Sequence, residues 1–497
     1  MKKYFLPKSS EIWFLGALIL VTLGLRIYHL PYYPYHEDEV GSISVLRSIV
    51  ETGFPYAENG TLYWSSLLGH YLMAIPLFFA ESSPYSTRLV SVVFSALLLP
   101  VVYLMGKRIG GRWAGSIAAL FLAFSAFENL YASMSRHYLP FQFFFVTGVF
   151  FAGEFFVRRR VGSGKWLFFA VLGAIGTHRF AVELFPVFAL AALIGWRPDF
   201  FRTISFWVCS AIVAVAVYFN FLFIPDSGFI NHVAIPLKMF ALEDKGAFYE
   251  WFRRMTPFGV TLIILGIYPL VVEKNKLFWF YTSTFIFCMV FLSVVAPGDN
   301  PRYMANIYPL GIVLGSKSLT WWSGFAVRWS RQRDLLFRSE QPLLLVTCLV
   351  AALTFLTVFE NRAVASGFGT YFRFVDQQPA HDFIKPRLRP SDLIISTEPG
   401  FAVLYLGRRP DYYLREKFDP ATGSYGPFSA EEKTTTPYEF IDSPGQLIAV
   451  LEGTDQRIWF YTNWKITQTV SVAMDEEIKR FFKPVFSQNE TYMLYRP

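Results

Sequence analysis

The sequence predicts a polytopic α-helical membrane protein of about eleven transmembrane helices, followed by a small extracytoplasmic α/β C-terminal domain. Three observations carry that prediction. The 497-residue chain is 54% hydrophobic and only 16% charged, against about 25% charged in ordinary soluble domains. Its mean hydropathy is +0.36, and apolar runs near the length that crosses a bilayer recur through the first three quarters. The basic stretches between those runs all fall on one face. The runs are continuous rather than alternating, which argues against a membrane β-barrel. The net charge of +8 therefore reports orientation and lipid contact, and nothing in the chain resembles a nucleic-acid module.

The predicted spans lie near 12–28, 87–105, 113–128, 138–157, 166–177, 181–196, 202–224, 259–272, 277–295, 303–316 and 342–358. The pair 166–177 and 181–196 also reads as one broken span, since the intervening THRFAVE is polar and needs protein or water partners at membrane depth. Residues 12–28 read as a retained first helix rather than a cleaved signal, because no small-residue cleavage site follows them. Eleven spans place Lys2, Lys3 and Lys8, GKRIGGR (106–112), RRRVGSGK (158–165), RPDFFR (197–202), EKNK (273–276) and the 316–334 region on the cytoplasmic side. The outer side then receives the first loop, 29–86, the turn near 129–137, THRFAVE, the loops 225–258 and 296–303, and everything after 358. The division predicted is a transmembrane domain over 1–358 and an extracytoplasmic domain over 359–497.

In the C-terminal segment, residues 377–387 read as helix, DLIIST (392–397) as strand and PGFAVLYLG as a short helix. QLIAVLE (446–452) and RIWFYTN (457–463) read as strands, and DEEIKRFF (475–482) as helix. Cys209, Cys288 and Cys348 lie far apart in apolar runs and read as small buried hydrophobes. Two Asn-x-Thr sites, Asn59 and Asn489, fall on the outer side.

Chemistry concentrates on that side. PYHEDEVGS (34–42) carries Glu37, Asp38 and Glu39 in succession. Val40, Ile43, Leu46, Ile49 and Val50 then recur at helical spacing, which predicts a helix over 38–53 lying along the membrane interface. Asp38 is placed to cap that helix, with Glu39 at the positive end of its dipole. A carboxylate held at a helix start also has the fixed direction a general base needs. LYWSSLLGHYLMAIPLFFA (62–80) reads as re-entrant or interfacial. Arg136 with His137, His178 with Arg179, and Arg302 sit at outer helix ends. The outer side disfavours cations, so these read as sites for an anion. Guanidinium matches phosphate oxygens in a fork. Arg179 and Glu183, four residues apart, have the alternative of pairing with each other.

Three stretches resemble the C superfamily (GT-C) of membrane glycosyltransferases, and within it the protein O-mannosyltransferase and aminoarabinose-transferase group. They are the Asp38–Glu39 pair opening an outer-loop helix, the outer segment NLYASMSRHYL (129–139), and the late outer NPRYMANIYPL (300–310). The resemblance covers about residues 12–320. It implies a GT-C fold and an inverting transferase that uses a polyprenyl-phosphate-linked sugar. Asp38 would be the general base toward an acceptor hydroxyl, and Glu39 would orient the acceptor or the base. Arg136 and Arg302, with Arg179, would bind the donor phosphate. Glu37, His137, His178 and Tyr303 are expected to contact substrate. The acceptor is left open among a glycan, a lipid-linked saccharide and a protein, with membrane lipids as surroundings.

The sequence departs from the family pattern in having Glu37 before the pair, so Glu37–Asp38 stands as a rival register. No cofactor is fixed. A divalent metal on Asp38 and Glu37 is the candidate, although consecutive residues point in different directions. The expected location is a prokaryotic plasma membrane with the site facing outward. The rival reading is a transporter or flippase of a lipid-linked or anionic substrate, which also favours broken helices and boundary arginines.

Overall fold

The computed structural model describes residues 9–195, 204–217, 263–295, 301–332 and 375–497, apart from short gaps at 59, 61, 65, 264, 420–423, 430–437, 464–465 and 489. The predicted span 342–358, the loop 225–258, Asn59, Asn489 and Cys348 lie outside the described residues, as do parts of the spans 202–224 and 259–272. The chain divides into two compact units. The first comprises residues 1–30 and 64–371, the second residues 31–63 and 372–497.

The first unit is helical. Its elements are α1 (Ser9–His29), followed beyond the second unit's first segment by α3 (Leu67–Ala74), α4 (Pro84–Ala123), α5 (Ala126–Ala132), α6 (Tyr138–Ala152), α7 (Gly164–Thr177), α8 (Leu184–Gly195), α9 (Ile204–Val217), α10 (Ile267–Glu273), α11 (Lys276–Val295) and α12 (Tyr308–Gln332). Among the described residues, four helical stretches are long and apolar enough to cross a membrane: Ser9–Tyr32, Pro84–Ala123, Tyr138–Val157 and Lys276–Ser293.

The stretch 106–112 that the sequence reads as a loop contains the sharp turn between the two arms of α4, at Gly111, whose φ of 80° belongs to the left-handed region. The two arms of α4 pack closely on each other. A Cβ at Gly115 would collide with the carbonyl of Tyr103 in the facing arm. Only glycine leaves room for that approach, the usual device of tightly packed membrane helices.

Several basic stretches gather at one end of this unit around acids. Lys107 pairs with Glu11 at 2.6 Å and Lys317 with Glu273 at 2.7 Å. Buried Glu154 meets Arg108, Arg158 and Arg160 at 2.9–3.0 Å. From Glu154 to the opposite end of α6, at Tyr138, is roughly 24 Å at about 1.5 Å per residue.

The second unit is a three-layer α/β/α domain. Its helices are α2 (Glu37–Thr52), α13 (Gln378–Ile384), α14 (Pro399–Leu406), α15 (Pro444–Glu452) and α16 (Val472–Phe481). Its strands are β1 (Leu393–Ser396), β2 (Tyr412–Leu414), β3 (Lys417–Asp419), β4 (Ser424–Gly426), β5 (Glu439–Ile441), β6 (Ile458–Asn463), β7 (Lys483–Gln488) and β8 (Thr491–Arg496). Six of them form one sheet in the order β5-β2-β1-β6-β8-β7, while β3 and β4 make a separate hairpin. Strands β5, β2, β1 and β6 are parallel, and β8 and β7 add antiparallel. Central β6 is buried along its whole length, as a strand covered on both faces should be.

On one face Ile395, Leu414, Ile458 and Phe460 pack with Leu447 and Leu451 of α15 and Met474 and Ile478 of α16. Burying each such leucine contributes roughly 1.5–3 kcal/mol. On the other face Trp459, Tyr461 and Met493 pack with Ala380 and Ile384 of α13, Phe401 of α14, and Val40 and Ile43 of α2.

Three sequence expectations are corrected here. QLIAVLE is helix α15 rather than strand: Ser443 caps it through the Gln446 amide, Pro444 occupies its first turn, and Leu447 and Leu451 fall four apart on one face. The residue that caps α2 is His36, not Asp38. The His36 side chain accepts from the Asp38 amide at 3.2 Å, and Glu39 accepts from the His36 amide at 2.9 Å, the reciprocal pattern of a capping box. Finally, Val40 and Ile43 of α2 pack on the sheet rather than facing lipid.

His381 in α13 supplies a stability test. Its Nδ1 donates to the Gln377 carbonyl at 2.8 Å, and the ring is 1% exposed. Burial pushes its pKa down to about 4. The unfolded chain takes up the proton near 6.5, so the unfolded state binds more protons between those values. Stability is fully present above about pH 6.5 and declines as pH falls toward 4, by roughly 3 kcal/mol in all. Asn preserves a donor at the Nδ1 position, so His381→Asn should flatten that slope in denaturation midpoints measured from pH 7 to pH 4.

Candidate active site

The first unit brings together the cations at the end of α6 opposite Glu154. The turn 133–137 delivers Arg136 and His137. It is tied to α4: Ser91 Oγ donates to the carbonyls of Met134, at 2.8 Å, and Arg136, at 3.2 Å, and Ser135 Oγ donates to the Thr87 carbonyl at 2.9 Å. The Arg136 guanidinium lies 5.5 Å from the centre of the Tyr138 ring. Arg302 lies 5.2 Å from the centre of the Tyr303 ring, and Tyr303 meets Phe180 edge-on.

Between α7 and α8 the chain makes a 3₁₀ turn, Arg179–Glu183, capped by His178, whose Nδ1 accepts from the Phe180 amide at 3.1 Å. That bond fixes the tautomer: neutral His178 carries its proton on Nε2. Its ring stacks on Phe141 at 4.8 Å. His137 stands 5.2 Å from His178 and 5.6 Å from His70, centre to centre. His178 and His137 lie in turns outside the spanning helices. Burial, then Arg179, Arg136 and Arg302, push His178 down to about 3. Burial, then Arg136, His178, His70 and Arg179, hold His137 well below its ordinary value. Both are neutral at physiological pH, and Arg136, Arg179 and Arg302 all act on one imidazole.

Arg179 and Glu183 do not pair. In a 3₁₀ turn residues four apart lie about 120° out of line, and buried Glu183 instead accepts from Asn306 Nδ2 at 2.7 Å. Cys288 is fully buried, as a small buried hydrophobe should be. A second buried acid, Glu128, accepts from Gln142 Nε2 at 2.6 Å, and the same nitrogen donates to the Ala305 carbonyl at 2.6 Å. Tyr308 and Ser125 share a 2.6 Å hydrogen bond. The segment carrying Arg302 is thus held from both sides by buried polar groups. Sequence reasoning missed Glu128, Gln142, Glu183 and Asn306 as supports. The available signal was a polar residue inside an apolar run, which costs free energy unless satisfied. Asn306→Leu should leave Glu183 without its amide donor and lower the thermal midpoint in detergent, a loss of about 1–3 kcal/mol.

The second unit carries the acids. Glu37, Asp38 and Glu39 form the first turn of α2. Glu39 is fully buried and occupied as the capping partner of the His36 amide. The Asp38 side chain is 37% exposed. His36 Nδ1 lies 3.9 Å from the Asp38 carboxylate, but that nitrogen already accepts the Asp38 amide, so it offers the carboxylate no proton. Glu37 acts electrostatically on Arg415 and Tyr413, together with Glu398. Among the described residues no three His, Cys, Asp or Glu side chains come together as a metal site. Glu37 and Asp38 point about 100° apart around the helix.

The chain, with its helical unit and its α/β unit, has the fold of the GT-C membrane glycosyltransferases. Among solved structures, ArnT from Cupriavidus metallidurans in the apo state superposes with a TM-score of 0.68, at 13% identity over 98% of both chains. The same enzyme bound to undecaprenyl phosphate gives 0.61, at 14% identity over 98% of both. The oligosaccharyltransferase of Archaeoglobus fulgidus gives 0.52, at 12% identity over 99% of this chain and 74% of the other. No sequence-family description and no curated protein matches the chain.

Proposed function

We propose that the protein is an inverting glycosyltransferase that moves a sugar from a polyprenyl-phosphate donor to an acceptor hydroxyl on the outer face of the membrane. The observation that carries this reading is the convergence of Arg136, Arg179 and Arg302 on one buried, neutral histidine, at the end of the bundle opposite the basic pairs. The binding of undecaprenyl phosphate by ArnT supports a lipid-phosphate donor. The basic end, by the positive-inside rule, supports an outward-facing cation cluster.

In this mechanism the arginines hold the donor phosphate, and His178 Nε2–H adds a neutral donor to it. Asp38 takes the proton from the acceptor hydroxyl. The hydroxyl oxygen attacks the anomeric carbon, and the bond from that carbon to the phosphate oxygen breaks. The polyprenyl phosphate leaves with the electron pair, its charge balanced by the arginines. Glu39 serves as a positioning residue, because its capping bond sets the first turn that carries Asp38. Attack on the face of the anomeric carbon opposite the breaking bond inverts it.

The test is incubation of the purified protein with the host's polyprenyl-phosphate sugars, following release of polyprenyl phosphate and the anomeric configuration of the product by NMR. Release with inversion is expected. Movement of intact donor across a bilayer with no bond cleaved would establish the transporter reading instead.

A further inference from the structure

The second unit contains a cavity of ≈ 680 Å³, within the range of about 300–1,000 Å³ typical of ligand pockets. Two helices form its walls. From α2 come Val40, Ser44, Arg47 and Glu51, and from α14 and the Gly407 that caps it come Gly400, Val403, Leu404 and Gly407 itself. Each set repeats at three and four residues, so each is one helix face. Gly400 permits the close approach at one end, since a Cβ there would press on the Val40 side chain. Tyr56, Glu58 and Arg409 line the other end, where Arg409 donates to the Glu58 carbonyl at 2.9 Å and Tyr438 donates to the Glu58 carboxylate at 2.5 Å.

The lining selects a chemistry. Two guanidiniums, Arg47 and Arg409, are balanced by two carboxylates, Glu51 and Glu58, so the cavity does not favour an anion. Hydroxyls and charged groups rim an apolar strip of Val40, Val403 and Leu404. A sugar ring has the same character, with polar edges and C–H faces. Among the described residues Arg47 has neither hydrogen bond nor ion pair, which leaves its donors for a ligand.

The direction of the groove matters for the proposed transfer. Counting 3.6 residues per turn, Glu37 lies on the stripe of Val40, Ser44 and Glu51, one turn before Val40, whereas Asp38 lies about 100° away. We infer that this groove binds an uncharged saccharide portion of the acceptor, with Arg47 as a contact. The inference rests on the glycosyltransferase reading for the word acceptor, and on the cavity alone for the saccharide.

The test is hydrogen–deuterium exchange on the full-length protein in nanodiscs. The probe is a size-fractionated set of uncharged oligosaccharides released from the host cell envelope. Slower exchange over residues 40–52 and 400–409 is expected, with apparent affinity at least tenfold weaker in Arg47→Ala and in the groove-filling Ser44→Trp. Unchanged exchange with every fraction overturns the inference. So does equal protection by a serine- and threonine-containing peptide or by phospholipid alone. Donor cleavage in the same samples separates the two readings: cleavage without saccharide protection removes the groove and keeps the transferase, and protection without cleavage does the reverse.

Discussion

Asp38→Asn is expected to lower sugar transfer by about 10²–10⁴-fold, the usual contribution of a positioned general base, while the protein remains folded in detergent. Folding should survive because α2 is capped by backbone and side-chain bonds of His36 and Glu39, none of which uses the Asp38 carboxylate. Removing one charge from the first turn costs about 0.3–1 kcal/mol of dipole interaction, too little to unfold the domain. Glutamine can still fill the capping box, so Glu39→Gln should retain both fold and most activity. The comparison separates a base from a cap. Transfer by Asp38→Asn near the wild-type rate, with loss in Glu37→Gln, would move the base to Glu37.

Arg302→Ala is expected to raise the KM for the polyprenyl-phosphate sugar by roughly 10–150-fold, the worth of one charged hydrogen bond of about 1.5–3 kcal/mol. The guanidinium is held beside Tyr303 by a segment anchored through Gln142 and Asn306, so its removal should not loosen that segment. Lysine keeps the charge but loses the fork, and Arg302→Lys should recover only part of the loss. Direct binding of undecaprenyl phosphate to the two variants checks the assignment, and unchanged affinity in Arg302→Ala would refute it. Neutral His178 also predicts that donor affinity stays flat from pH 5 to pH 8, because a histidine held near 3 does not titrate there.

The membrane-helix character was legible from long continuous apolar runs, and the helix α2 from a 3.6-residue apolar pattern, because neither signal needs knowledge of neighbours. The prediction of 38–53 for α2 missed by one residue at each end. QLIAVLE failed for the opposite reason: seven residues are too few to separate strand from buried helix by periodicity. The Ser443–Pro444 start was the better signal. His36 was passed over as a cap because Ser, Thr, Asp and Asn dominate that position. Yet Glu39 three residues on completes the box, and that spacing stood in the sequence. Glu183 was read against Arg179 on helical spacing, and the chain there is 3₁₀.

The sequence by itself determined that this is a membrane helix bundle with cations and acids set apart from its basic stretches. It also determined which charged residues stand at the ends of the outer segments. Those features follow from composition, charge sign and local period. Only the tertiary structure decided that Arg136, Arg179 and Arg302 act on one imidazole, that Glu39 is occupied as a cap, and that residues 31–63 fold with the C-terminal sheet. Each of these depends on contacts between residues tens to hundreds of positions apart or on the turn type of a short segment. A linear pattern carries no term for either.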